Sequence, residues 1–268
     1  MKEIAIEAAL EAGNVLTTHF GKIKNIEKKD KAGLVTEVDK NAEGMVLKII
    51  SKAYPKHSFL CEESGKTDIA DSNFRWIIDP LDGTTNYVHG LQFFCVSIAL
   101  EERGKVVLAV IYAPALGEFY VAEPGLGAYL YDLPPFLKNP HHEYLKNPRK
   151  LHVTKTNSLD DALMATGFSY RRTENITTEL ESFKRFLAKT RAIRRLGSAA
   201  LDLCYLARGI YDGYWERGLC PWDTAAAQLI VTEAGGKVTN FSGAAYDYYK
   251  SDIVASNSAL HKVILENF

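Results

Sequence analysis

The run Trp76-Ile77-Ile78-Asp79-Pro80-Leu81-Asp82-Gly83-Thr84-Thr85-Asn86 ends an apolar stretch of strand character in two carboxylates, then supplies a glycine and two threonines able to open a helix. Asp79 and Asp82 are hard oxygen donors of the kind Mg²⁺ prefers. If a helix begins at this point, the unpaired amides of residues 83–85 face outward to receive a phosphate. Pro80 fixes its own φ and stiffens the chain between the two acids. The plainer reading is a strand that stops in an Asp-Gly turn.

Further acids recur at comparable places. Glu62-Glu63 follows the short apolar run 58–61, Asp39 heads a helical pattern, the run 211–216 ends in Glu216, and Asp223 follows Pro221-Trp222. Taken singly, Glu62 reads as part of a solvated acidic turn, and Asp39 and Asp223 read as helix N-caps. If Glu62, Asp79, Asp82 and Asp223 converge, their mutual repulsion demands cations among them, and an all-oxygen set calls for Mg²⁺ rather than zinc. Two or more Mg²⁺ beside an anion-binding helix N-terminus is the apparatus for phosphoryl transfer to water.

The elements that must position these acids follow from periodicity and breakers. Ile4, Ala8, Ala12, Val15 and Leu16 recur at helical spacing before Gly21, and Ala42, Val46, Ile49, Ile50 and Ala53 mark a second helix stopped by Pro55. Strands are expected at 58–61, 76–79, 93–100, 105–112, 117–122 and 127–131, the later ones as neighbours in an antiparallel sheet. Residues 133–149, rich in Pro, Lys, Asn and His and carrying Leu-Lys-Asn-Pro at 137 and 145, read as a long surface loop between two halves. Beyond it come a strand at 162–168, an amphipathic helix at 179–189, and a helix opened by Gly197-Ser198 and running to Gly209. Its start suits a cap or an anion. A strand at 211–216, a helix at 224–234 closed by Gly235-Gly236, and strands at 237–239 and 253–255 complete the chain.

With 268 residues, 47% of them hydrophobic and 24% charged, the chain can bury a large core as one domain or two closely joined halves. A formal net charge of -1 gives no reason to expect nucleic acid or an anionic membrane as partner. No apolar run is long enough to span a bilayer, and Met1-Lys2-Glu3 enters an amphipathic pattern rather than a signal peptide, so the cytoplasm is the expected location. Cys61, Cys95, Cys204 and Cys220 lack C-x-x-C spacing and read as buried thiols, and the adjacent His141-His142 falls in the long loop.

Glu62-Glu63-Ser64, the run 76–89, and Trp222-Asp223 followed by Leu229-Ile230-Val231-Thr232-Glu233-Ala234-Gly235-Gly236 together resemble the signature segments of the inositol monophosphatase family, in order and at the right separation. The resemblance implies a Mg²⁺-dependent, lithium-sensitive phosphatase of the α/β (α+β) class, a layered α-β-α-β-α sandwich of the sugar phosphatase type. It implies one domain over 1–268, with most metal ligands in the half up to about 135 and Asp223 and the substrate-contacting helix in the half from about 150, and a homodimer. Glu62, Asp79 and the Leu81 carbonyl would hold a first Mg²⁺; Asp79, Asp82 and Asp223 a second; a third, weaker ion would lean on Glu62, giving two or three per subunit. Thr84 matches the threonine that orients the attacking water and Asp39 the acid that hydrogen-bonds it. Asp82 and the amides of Gly83 and Thr84 would meet the phosphate. Gly197, Ser198, Ala199 and Glu216 match positions facing the sugar hydroxyls.

Two features depart from the family pattern. Gly33 stands where animal members carry an aspartate, so the segment from Lys28 onward is expected to treat the third metal differently. The 133–149 loop exceeds the usual connection. The expected substrate is a small phosphate ester, myo-inositol 1-phosphate first. The alternatives are a broader sugar phosphatase, which takes fructose 1,6-bisphosphate if Arg171, Arg172, Arg194 and Arg195 bind a second phosphate, or a phosphatase of nucleotide 2′- or 3′-phosphates. An alternative of another class is a regulatory partner of RNA-processing or transcription machinery.

Overall fold

The computed structural model describes residues 1–22, 26–28, 34–168 and 176–268; Gly33, Arg171 and Arg172 lie outside the described residues. Its helices are α1 (Lys2–His19), α2 (Glu37–Ala53), α3 (Thr84–Val88), α4 (Ile176–Leu187), α5 (Ala199–Ala207), α6 (Pro221–Glu233) and α7 (His261–Leu265). Strands β1 (Ile26–Lys28) and β2 (Leu34–Thr36) form a separate antiparallel ribbon. An eight-stranded sheet takes in β3 (Ser58–Cys61), β4 (Gly65–Thr67), β5 (Phe74–Asp82), β6 (Cys95–Glu102), β7 (Lys105–Ala113), β8 (Glu118–Glu123), β9 (Gly127–Asp132) and β10 (Arg149–Lys150), in the order β10-β9-β8-β7-β6-β5-β3-β4. A five-stranded sheet, in the order β12-β11-β13-β15-β14, is built from β11 (Leu163–Thr166), β12 (Ala192–Arg194), β13 (Gly213–Glu216), β14 (Lys237–Thr239) and β15 (Ile253–Ser256).

Strand alternation sorts the layers. Trp76, Ile78, Val96, Ile98, Val110 and Tyr112 point to one face of the large sheet and bury against Leu10 and Leu16 of α1 and Val46 and Ile50 of α2. Ile77, Cys95, Ala99, Ala109 and Ile111 point to the other face, where α5 and α6 lie. Beyond those helices Ala165, Tyr214 and Ala255 of the small sheet close the same core, and its outer face carries Met164, Trp215 and Val254 against Phe186 of α4 and Ile264 of α7. The result is the expected α-β-α-β-α layering.

The middle layer explains why α5 and α6 carry apolar residues on every side. Ala225, Ala226, Ala227, Leu229, Ile230 and Val231 are all buried, because α6 faces a sheet above and a sheet below. Helix α4 covers an outer face and is amphipathic instead, starting at Ile176 rather than 179.

Other differences from the sequence reading have local causes. Strand β5 does not stop at Asp79 but runs to Asp82. Its register against β6 slips between the two acids, where Pro80 has no N–H to give to the ladder. Helix α6 begins three residues earlier than expected, with Pro221 in its first turn. Strands β4 and β12 and helix α7 are too short or too polar to register as periodic runs. The 133–149 loop lies along α1, where the Asn139 amide donates to Asn14 Oδ1 at 3.0 Å and Phe136, Leu137 and Leu145 join the α1–α2 core. Among the described residues no helix is long and apolar enough to cross a membrane.

One buried histidine fixes a pH response. His261 is 2% exposed, with Nε2 2.9 Å from Thr239 Oγ1 and Nδ1 2.8 Å from Ser256 Oγ. Burial, with Lys237 adding to it, pushes the imidazole down to about 4. The neutral ring is favoured in the folded state, so its contribution is complete above the unfolded value near 6.5 and lost as pH falls toward 4. Urea unfolding from pH 7 to pH 4 is expected to show wild type losing stability relative to His261→Gln by an amount on the order of 3 kcal/mol. Parallel curves would refute it.

Candidate metal and phosphate site

Asp79, Asp82 and Asp223 each place an oxygen within 4.8 Å of the others. Glu62 joins them through the parallel pairing of β3 with β5. Cys61 sits opposite Ile78, the Glu62 amide donates to Ile78 O at 3.1 Å, and the Glu62 carboxylate lies within hydrogen-bonding reach of Asp79. The four acids that the sequence scatters over some 160 residues thus converge where β3 and β5 end and α6 begins.

Each aspartate is held by donors on one oxygen. Asp79 Oδ1 accepts from the Leu81 amide at 2.9 Å, and Asp223 Oδ2 accepts from the Cys220 amide at 2.6 Å. Asp82 Oδ2 accepts from the Ser198 hydroxyl at 2.6 Å and the Ala200 amide at 2.8 Å. The start of α5 therefore does hold an anion, and the anion is the protein's own Asp82. Asp39 and Asp223 are not N-caps, the plain reading of each taken singly. Thr36 and Cys220 take those positions, and both acids stand third in their helices, reaching back to the capping residue's amide. Positive helix ends thus face three of the site carboxylates.

Burial raises Asp79 and Asp223 well above the ordinary carboxylate range, and their acidic neighbours raise them further. Asp82 rises to about 6, restrained by Ser198 and Ala200. Such crowding is costly unless a cation neutralises it, and a buried all-oxygen donor set suits Mg²⁺. The residues present fit that ion.

Beside the acids, Gly83 caps α3 with φ of +93°, and a Cβ there would lie 2.9 Å from the Phe93 carbonyl oxygen. Only glycine meets both demands. The first-turn amides that follow have no helical carbonyl to pair with. Thr84 Oγ1 lies 3.0 Å from Leu81 O and 3.2 Å from Asp39 Oδ1, while Asp39 Oδ2 accepts from the Thr36 amide and hydroxyl at 2.9 and 2.6 Å. With its proton committed to an acceptor, the Thr84 oxygen keeps lone pairs to accept a hydrogen bond from water.

On the far side stand Gly197, Ser198, Ala199 and Glu216. Ser198's hydroxyl is committed to Asp82, which leaves its backbone for any substrate contact. Glu216 accepts from the Tyr214 hydroxyl, and burial pushes its carboxyl up to about 7. Arg195 reaches over Gly197, with Nη1 3.0 Å from the place a Cβ would take, whereas Arg194 turns its guanidinium to Ile193 O.

The sequence reading missed two residues. Gly167 leaves room for Glu216, since a Cβ there would lie 2.0 Å from Glu216 Oε2. Glu43, 3% exposed, accepts from the amides of Glu63 and Ser64 at 2.9 and 2.8 Å and so holds the turn carrying Glu62. A signal for Glu43 existed, because it follows Asp39 by four residues on the same helix face. A second group of ligating side chains, His141, His142 and Glu143, is exposed on the 133–149 loop.

A family model described as the inositol monophosphatase family matches residues 1–268. The chain belongs to the inositol monophosphatase family. An inositol-1-monophosphatase of Synechocystis sp. is 41% identical over 261 residues, covering 97% of this chain and 85% of the relative. Nus factor SuhB of Escherichia coli is 38% identical over 269 residues, covering 100% and 95%. Among inositol monophosphatase-like structures, the extragenic suppressor protein suhB of Bartonella henselae aligns with a TM-score of 0.88 at 39% identity, covering 98% of this chain and 96% of that one. An IMPase/NADP phosphatase solved in complex with Mg²⁺ and phosphate aligns with a TM-score of 0.79 at 26% identity, covering 96% and 90%.

Proposed function

We propose that this chain, acting as one domain, hydrolyses myo-inositol 1-phosphate to myo-inositol and phosphate, with Mg²⁺ as cofactor. Membership in the inositol monophosphatase family makes it a phosphomonoester hydrolase, and the observation that carries the rest is the convergence of Glu62, Asp79, Asp82 and Asp223 beside the start of α3. Glu62, Asp79 and the Leu81 carbonyl would hold one ion and Asp79, Asp82 and Asp223 another, with a third leaning on Glu62. Bound Mg²⁺ supplies charge neutralisation for the phosphoryl group and a water acidic enough to be deprotonated near neutral pH.

The chain's own residues do the rest. The amides at Gly83 and Thr84 grip the phosphate oxygens, and Thr84, its own proton turned to Asp39 or the Leu81 carbonyl, accepts a hydrogen bond from the attacking water and so points a water lone pair at phosphorus. As the water attacks, its proton passes to Thr84 and the Thr84 proton to Asp39. Glu216 accepts from a polyol hydroxyl, and the backbone of 197–199 lines the ring's other edge. The carboxyl at 216 suits a hydroxyl better than a second phosphate and Arg194 is turned to its own backbone, which supports a polyol ester, whereas Arg195 over Gly197 is the cation that a bisphosphate would use.

We read the protein further as cytoplasmic, homodimeric and lithium-sensitive. The near full-length likeness to Nus factor SuhB supports a second role as a regulatory partner of transcription or RNA processing, compatible with the first on one chain. A panel of inositol 1-phosphate, fructose 1,6-bisphosphate and 2′-AMP, assayed for phosphate release with Mg²⁺ and with or without lithium, tests the reading. Inositol 1-phosphate is expected to lead and lithium to inhibit. A folded wild type releasing phosphate from none would refute the enzymatic reading and leave the binding role.

Gly167→Ala tests the polyol contact. The added methyl must displace the Glu216 carboxyl, and at pH 8, above the value of about 7 at which it ionises, losing one hydrogen bond to the charged acceptor is expected to raise KM about tenfold or more. Steady-state kinetics with an unchanged KM would remove Glu216 from substrate recognition.

A further inference from the structure

Asn86 is 6% exposed, and its side-chain amide nitrogen donates to two carbonyls, Phe93 O at 2.7 Å and Leu196 O at 2.8 Å. Only an NH₂ group can serve two carbonyl acceptors, so the partners fix which way the amide faces. Those partners, both within reach of one nitrogen, belong to different segments of the site. The Phe93 carbonyl is the atom packed against Gly83, and Leu196 opens the turn that leads through Gly197 and Ser198 into α5. Asn86 itself sits in α3, two residues beyond Thr84. One side chain therefore spans from the phosphate cradle to the wall that faces the ring.

Neighbouring contacts make the span rigid. Gly197, with φ of +87°, lies so close that a Cβ on it would sit 3.4 Å from both amide atoms of Asn86. Two residues further on, the Ser198 hydroxyl and Ala200 amide are anchored on Asp82, so the α5 end stays attached to the acid cluster whatever happens at Leu196. The Leu196–Gly197 link is then the part of the wall whose distance from the phosphate depends on Asn86.

We propose that Asn86 is a positioning residue that sets the separation between the phosphate cradle and the ring-facing wall, and so determines how well a polyol ester is aligned for in-line attack. This rests on the phosphatase reading above. With the bridge cut, α3 still presents its amides and Asp82 is still held, so a phosphate group alone binds as before. A ring ester loses alignment, and displacement of a reacting group by about an ångström costs on the order of 100-fold.

The test uses full-length, Mg²⁺-loaded protein with Asn86→Ala, and Asn86→Ser, which keeps one donor, as the variant to measure if the first does not fold. The readouts are kcat/KM for myo-inositol 1-phosphate and Ki for inorganic phosphate, a product that occupies the cradle without a ring. Expected are a fall in kcat/KM of about 10- to 100-fold with a Ki for phosphate within about threefold of wild type, and a smaller fall for Asn86→Ser. Unchanged kcat/KM, or kcat/KM and Ki worsening together in step with a lower melting temperature, would overturn the proposal and leave Asn86 as a structural bond only. A wild type that releases no phosphate from inositol 1-phosphate sinks the phosphatase reading instead, before any variant is compared.

Discussion

Asp82→Asn is expected to lower the rate of phosphate release on the order of 10³-fold or more, while raising the melting temperature of the protein measured in chelator. The two effects share one cause. Asp82 is buried with Asp79 and Asp223, and Glu62 lies beside Asp79. An asparagine keeps an oxygen to accept from Ser198 and Ala200, so the start of α5 remains held. It also puts an NH₂ donor where a cation requires a lone pair, and the several kcal/mol of charge stabilisation that a bound ion gives the transition state are lost. Without metal the same change removes one of the mutually repelling buried charges, which relieves the metal-free fold. Added Mg²⁺ should then raise the melting temperature of wild type far more than that of the variant, because an ion stabilises the folded state only as strongly as it binds. A variant with wild-type turnover, or with a lower melting temperature in chelator, would show that the carboxylates do not form a cation cage.

Gly83→Ala is expected to damage stability and catalysis together. Placing a side chain at φ of +93° costs about 1–2 kcal/mol, and its methyl would press on the Phe93 carbonyl oxygen at 2.9 Å, so a total of about 3 kcal/mol follows. The control is Gly104→Ala, at φ of +81° with open space around it, which carries the backbone cost alone. Relief of the clash must move either Phe93 or the start of α3. The second choice displaces the amides proposed to face the phosphate, and removing one such donor would cost about 10²-fold or more in kcat. Thermal unfolding and steady-state kinetics on both variants check this. Equal destabilisation of the two would mean the Phe93 contact is soft, and an unaffected kcat in Gly83→Ala would mean that the amides at 83 and 84 do not carry the phosphate.

Much of the fold was legible because it obeys short-range rules. The period of α1 and α2 marks helices that bury one face, the apolar runs of β5 to β8 mark strands covered on both faces, and the breakers Gly21, Pro55 and Gly235-Gly236 stop elements where the structure stops them. Helix starts were less legible. Taken singly, Asp39 and Asp223 suit a cap because acids favour that position, but Thr36 and Cys220 precede them, and a capping box places its acid three residues in. The run through Pro80 read as a strand ended at Asp79, since a proline inside a strand is rare, whereas a slip in register accommodates it.

Residue types and order were enough to name the acids, the glycine-led helix start and the oxygen-loving cation they call for, because hard carboxylates and strained glycines carry their chemistry with them. Three-dimensional packing alone decided that Glu62 lies beside Asp79, that the start of α5 embraces Asp82, and that Glu43, Gly167 and Asn86 meet the Glu62 turn, the Glu216 carboxyl and the Leu196 carbonyl. Those relations join residues tens to more than a hundred positions apart, and nothing in local periodicity encodes which distant carbonyl or carboxylate a buried donor will meet once two sheets close over the helices between them.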